Sequence, residues 1–229
     1  MIFLRSRQQQ EGIATLVLAL LLVLNSCTND PHVHMQKGMA YMADGKYPEA
    51  VLAFKSVVQI DPRDASAYYH LGLAYLKKGQ SEEFSDALRA FEQSVQLDVN
   101  NLEARLKLGE LYLLTKDFDA TREQAATVLQ SAPDRVQAYV LLSHAYRGKA
   151  AWGPAIQALQ AALKLDHGLL SLHLQLADLY QHANEFGPAE QTYQHALTLD
   201  PDATQTYLAL DTVVKILGHV HPLRAWCNA

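Results

Sequence analysis

Five tyrosines set the frame of this chain: Tyr41, Tyr75, Tyr112, Tyr146 and Tyr180, separated by 34, 37, 34 and 34 residues. Three residues before each stands a small side chain: Gly38, Gly72, Gly109, Ser143 and Ala177. Nine residues after comes another, at Ala50, Thr121, Ala155 and Ala189, with Ala87 displaced by a three-residue insertion. A period of this length marks a repeat architecture, in which each supersecondary unit buries its apolar face only by stacking on its neighbours. It overrides the one or two globular domains that 229 residues would otherwise suggest. Each small residue has a packing reason. Small residues at fixed places let segments of a unit approach closely; larger side chains would overpack and cost about 1–3 kcal/mol.

The fullest unit is Gly38 to Pro62, GMAYMADGKYPEAVLAFKSVVQIDP. Its spaced residues Gly38, Tyr41, Gly45, Tyr47, Ala50, Phe54 and Pro62 resemble the tetratricopeptide repeat, a helix-turn-helix of about 34 residues. The resemblance implies an all-α tetratricopeptide-repeat solenoid, a right-handed superhelix of antiparallel helix pairs. The five expected units are 31–64, 65–101, 102–135, 136–169 and 170–203, followed by a capping helix over 204–218 and a tail over 219–229. Tyrosines with Phe54, Phe91 and Tyr193 should fill the seams between hairpins. Pro62, Pro133 and Pro201 should end second helices, since proline lacks a donor and restricts the residue before it. Pro48, Pro154 and Pro188 suit the first turn of second helices, and Gly45 and Gly79 close first helices. The sequence also departs from the pattern. Gln80 to Glu83 lengthens the second unit's inter-helix loop, Val99 and His167 stand where proline is usual, and Ala125 and Leu159 replace the large aromatic. Asp211 takes the small-residue place in the last helix, where it and Lys215 suit a polar cap, as repeat arrays require at their ends. The tail HVHPLRAWCNA looks unrelated to the repeat.

Residues 1–26 read as a targeting segment to be set aside from fold reasoning. Arg5 and Arg7 precede an uncharged apolar run of twelve, Ile13 to Leu24. That is short of the ~20 residues a membrane-spanning helix needs. Leu24-Asn25-Ser26-Cys27 resembles a bacterial lipobox. The resemblance implies cleavage after Ser26, lipid attachment to the Cys27 thiol, a tether over 27–30, and outer-membrane placement facing the periplasm, since Thr28 rather than Asp follows the cysteine. Acyl chains, at about 0.8 kcal/mol per buried methylene, make a durable anchor. An ordinary cleaved signal with a chance cysteine, or an uncleaved anchor, are the alternatives.

Charge and motif exclude several function classes. With 19 basic against 24 acidic side chains and no basic block, nucleic-acid binding has little electrostatic support. Cys27 and Cys227 are too few and too distant for a disulfide framework. Ten histidines include the pairs His32/His34 and His219/His221, but these alternate rather than stand four apart, and no metal-binding or nucleophile motif appears. Neither a catalytic residue, a metal site, a cofactor nor a small-molecule substrate is expected.

The resemblance instead points to the concave surface, where first-helix positions line a groove for a peptide. Those positions here are Met35, Met39 and Met42, then Tyr69, Leu73 and Leu76, then Leu106, Glu110 and Leu113. Val140, His144 and Arg147 follow, and last Leu174, Asp178 and Gln181. The methionine-rich start would adapt to varied partners, or these residues could merely cover the open side of the first hairpin. The Lys and Asn clamp with which some family members hold a C-terminal carboxylate is missing, since Met35, Met39, Tyr69 and Leu73 occupy its places. The expected role is a non-catalytic scaffold for a protein partner in an envelope assembly, in polysaccharide export, protein sorting, or pilus or secretin assembly. The alternative is an accessory regulator of an envelope hydrolase or synthase.

Overall fold

The computed structural model describes residues 30–79 and 83–218. Eleven α-helices and no strand occupy the described residues, so the all-α expectation holds. They fall into two compact units, one ending at Val99 and the other beginning at Asn100. The first holds α1 (Pro31–Ala43), α2 (Tyr47–Ile60), α3 (Ala65–Lys78) and α4 (Glu83–Leu97). The second holds α5 (Leu102–Leu114), α6 (Phe118–Ser131), α7 (Val136–Gly148), α8 (Trp152–Leu165), α9 (Leu170–His182), α10 (Phe186–Leu199) and α11 (Thr204–Leu217). Within each unit helices pack chiefly on their sequence neighbours, and α5 also reaches α7. Glu83 is the first residue of α4 and not part of the inter-helix loop, because its carboxylate is drawn onto Lys78 at the end of α3.

Local chemistry explains where the helices start. Asp30, Asp64, Asn101 and Asp117 cap α1, α3, α5 and α6, each accepting from a backbone N–H in the first turn and so satisfying one of the orphan donors there. The second helices of the hairpins stop at a common place. Pro62, Pro133 and Pro201 lie two residues past the last helical residue of α2, α6 and α10, and Val99 and His167 hold the same place after α4 and α8.

The corners between paired helices share one conformation. Gly45, Gly79, Lys116, Ala150 and Asn184 all have positive φ, between 54° and 75°, and each sits four residues after a repeat tyrosine. Where the chain continues in view, the next residue donates its N–H back to that tyrosine's carbonyl: Lys46 to Tyr41, Asp117 to Tyr112, Ala151 to Tyr146 and Glu185 to Tyr180, at 2.8–2.9 Å. This is the left-handed corner and long return bond that end many helices. Gly218, with φ 70°, repeats it 34 residues after Asn184, so α11 closes like a first helix.

The small residues do what the spacing implies, with one exception. A Cβ added to Gly38 would lie 2.5 Å from the Phe54 ring, and one on Gly72 would lie 2.8 Å from the Phe91 ring. In both hairpins the second helix drives its aromatic ring against the first helix's glycine. At Gly109 the neighbour is Leu141 from the next hairpin, because Ala125 leaves the aromatic place empty. Leu106, Ala125, Val128, Ala138 and Leu141 form one buried cluster there. Others gather around Leu159, Leu172 and Leu179, and around Tyr193, Leu210 and Val213.

Candidate functional site

The second unit contains a cleft of about 480 Å³, walled by α5, α7 and the start of α9. Each helix gives it one stripe at helical spacing. From α5 come Leu106, Glu110, Leu113 and Leu114; from α7 come Val136, Gln137, Val140, Leu141 and His144. Leu169, Ser171, Leu172 and Gln175 complete it. Residues three, four, seven or eight apart share a helix face, which is why one stripe per helix can make a continuous wall. Leu114 is 68% exposed and so offers apolar surface that the fold leaves open. Across the cleft the His144 Nε2 and Gln175 Oε1 are 2.8 Å apart, a hydrogen bond joining α7 to α9.

Of the residues singled out in the sequence, Leu106, Glu110, Leu113, Val140 and His144 line this cleft. Leu106 does so only at its edge: it is 5% exposed and belongs to the core with Val128 and Leu141. The three in α9 serve other ends. Leu174 packs against the cluster of Tyr193, Leu210 and Val213. Asp178 Oδ2 accepts from Arg147 Nη1 at 3.4 Å, and Gln181 Oε1 accepts from the Tyr193 hydroxyl at 2.7 Å. Burial, then the Asp178 charge, push that hydroxyl up to about 12. Arg147 is thus a tie between α7 and α9 and not a wall of the cleft. In the first unit, Met35 and Met42 are half-buried on α1 and Met39 is 46% exposed. Tyr69, Leu73 and Leu76 are half-buried on α3, where Tyr69 sets its ring edge-on to Phe91. Cys27, with the rest of the lipobox, and the tail lie outside the described residues.

Sequence reasoning missed Leu114, Val136, Gln137, Leu141, Leu169, Ser171, Leu172 and Gln175. It carried one fixed set of positions from unit to unit. The cleft instead slides toward the helix N-terminus at each step, from 106–114 in α5 to 136–144 in α7 and 169–175 in α9. The available signal was an amide flanked by apolar residues, Gln137 between Val136 and Ala138 and Gln175 between Leu174 and Leu176.

Several charged groups of the second unit are paired. Lys107 Nζ lies 2.7 Å from Glu110 Oε2, Arg135 bonds Glu103, and Lys149 donates to Asp119 at 2.8 Å. That hydrogen bond and the Lys149 charge hold the Asp119 carboxyl below the usual range. Among the described residues no three His, Cys, Asp or Glu side chains converge as metal ligands. No described helix is long and apolar enough to cross a membrane.

Comparison with known proteins adds the following. A TPR-repeat model matches residues 38–79, and tetratricopeptide-repeat models match 80–145 and 170–203. Among solved structures, MamA from Desulfovibrio magneticus RS-1 is 21% identical, with a TM-score of 0.70 over 76% of this chain and 97% of that one. YrrB, described as a TPR protein with an unusual peptide-binding site, is 15% identical, with a TM-score of 0.71 over 83% and 97%. PilF of Pseudomonas aeruginosa is 19% identical, with a TM-score of 0.67 over 82% and 84%. No curated protein matches the chain.

Proposed function

The chain is a tetratricopeptide-repeat protein with an all-α solenoid fold, and from that premise we propose that it is a non-catalytic scaffold whose second-unit cleft docks a segment of a protein partner. The observation that carries this reading is the cleft itself. Three successive first helices turn apolar side chains to the cleft, with Leu114 at 68% the most exposed of them. Large apolar side chains left uncovered beside polar ones mark interaction surfaces. The peptide-binding site ascribed to YrrB, a similar fold, supports the same reading.

The scaffold is proposed to be tethered by lipid on Cys27 to the outer membrane, facing the periplasm, and to support an envelope assembly of the export, sorting, pilus or secretin kind. Support for the tether comes from the run Ile13–Leu24 and the Leu24-Asn25-Ser26-Cys27 motif. Mass spectrometry of the chain from native membranes should find a mature N-terminus at a lipidated Cys27. A chain that retains Met1, or carries no lipid there, overturns the tether. For the docking reading, crosslinking of wild type is to be compared with Leu114→Glu, an exposed position where the substitution leaves the core intact. Loss of one crosslinked envelope protein is expected in the variant. An unchanged pattern overturns the reading.

A further inference from the structure

The polar groups of the cleft say what kind of segment it takes, given the docking reading above. We propose that the segment is an uncharged, leucine-like stretch of polypeptide whose main chain is held by Gln137 and Gln175, and not a charged terminus or an acidic or basic motif.

The walls are apolar: Leu113, Leu114, Val136, Val140, Leu169 and Leu172. Set among them are Glu110, Gln137, His144, Ser171 and Gln175, of which only Glu110 carries a fixed charge. That charge is answered on its own helix by Lys107 Nζ at 2.7 Å. One turn beyond His144, Arg147 and Asp178 likewise close on each other at 3.4 Å. A carboxylate brought into the cleft therefore meets no cation without a partner already beside it, and an ammonium meets no carboxylate except one already paired. Either would be desolvated against leucine without compensation.

The amides fit a different guest. A glutamine side chain offers both a donor and an acceptor, the same pair that a peptide bond presents, so it can hold a main chain whatever the sequence. Gln175 gives one end of its amide to His144 and keeps the other, while Gln137 is exposed at the cleft mouth. Gln137 and His144 are seven residues apart on α7, roughly 10.5 Å along the axis. That is the reach of about three extended residues at ~3.3 Å each. The footprint is short, and its volume suits a few side chains.

The test measures fluorescence anisotropy of capped, labelled peptides on the full chain. One peptide alternates leucine and serine; in two others aspartate or lysine replaces leucine; a fourth is the leucine peptide with a free C-terminal carboxylate. The leucine peptide should bind at least about tenfold tighter than either charged one. Its affinity should not change on uncapping, nor between about 50 and about 500 mM salt, since no charge pair between peptide and cleft is there to be screened. Leu114→Glu should weaken it about tenfold, and Gln137→Ala should weaken the capped and uncapped leucine peptides alike. Tighter binding of a charged or uncapped peptide, still abolished by Leu114→Glu, overturns the neutral-segment inference and leaves the docking reading standing. Binding of a tetradecanoate probe and of no peptide, or no binding that responds to Leu114→Glu, overturns both.

Discussion

At the scale of single residues, the glycines of the first helices differ in what they meet, and so in what a methyl group would do. Gly38→Ala and Gly72→Ala push a Cβ into the rings of Phe54 and Phe91, which are fully buried and cannot swing away. Each should lower stability by about 1–3 kcal/mol. Gly109→Ala meets the end of Leu141, a flexible side chain, and should cost less than either; denaturant titrations of the three variants give the order. His70 responds to acid. Its ring stacks on Phe54 with centroids 5.5 Å apart, and burial lowers its affinity for a proton, partly offset by the Asp64 charge. The unfolded chain takes that proton near the ordinary value of about 6.5, while the folded chain resists until a lower pH. The His70 contribution to stability is therefore intact above that value and is lost as pH falls through the folded one. His70→Phe should flatten this part of the pH dependence of Tm, read as a difference between variant and wild type at pH 7.5 and 5.5. Equal acid slopes in the two proteins would sink the assignment.

At the scale of the helix, the sequence announced its corners only where glycine occupied them. Gly45 and Gly79 signal the left-handed turn, but Lys116, Ala150 and Asn184 adopt it with φ of 62°, 54° and 61°. Those three were illegible because the period, not the residue, dictates the conformation: the return bond to the repeat tyrosine forms whichever side chain is present. Ala150 bears the strain of a Cβ in that region, of the order of 1 kcal/mol. Ala150→Gly should raise stability by at most about 0.5 kcal/mol after the greater freedom of unfolded glycine is counted; thermal unfolding measures it, and a lower Tm contradicts the account. The helix starts differ too. α1, α3 and α5 are capped by a carboxylate or amide, whereas Arg135, Leu169 and Ala203 ahead of α7, α9 and α11 give no side-chain capping bond. Ala203→Asp should add about 1 kcal/mol by capping α11, seen as slower hydrogen exchange in its first turn.

At the scale of the whole molecule, the period of five tyrosines marked a repeat, and the resemblance of Gly38 to Pro62 to the tetratricopeptide unit implied the all-α solenoid that is found. The site was only partly legible. Leu113, Val140 and His144 fell in the cleft by register, yet Leu174 went to the core and Asp178 to Arg147, because the cleft drifts along successive helices and a single sequence does not show the drift. Substitution at Leu114 is accordingly the sharper probe of partner binding than substitution at Leu106. Leu106→Glu would bury a charge in the core, and a loss of binding there would only report unfolding.

The side-chain bonds that join hairpins in the second unit include Arg135 to Glu103, Lys149 to Asp119, His144 to Gln175 and Arg147 to Asp178, 30 to 32 residues apart, and Gln160 to Tyr180, 20 apart. Each fastens a hairpin to the next one and to nothing farther along. Under tension applied across this unit, load would pass through the fastenings in series, so the weakest yields first while the rest stay shut. Force spectroscopy on the chain should then record a staircase of small extensions, each about one 34-residue hairpin long, where a protein knit by distant contacts would release its length in a single rupture.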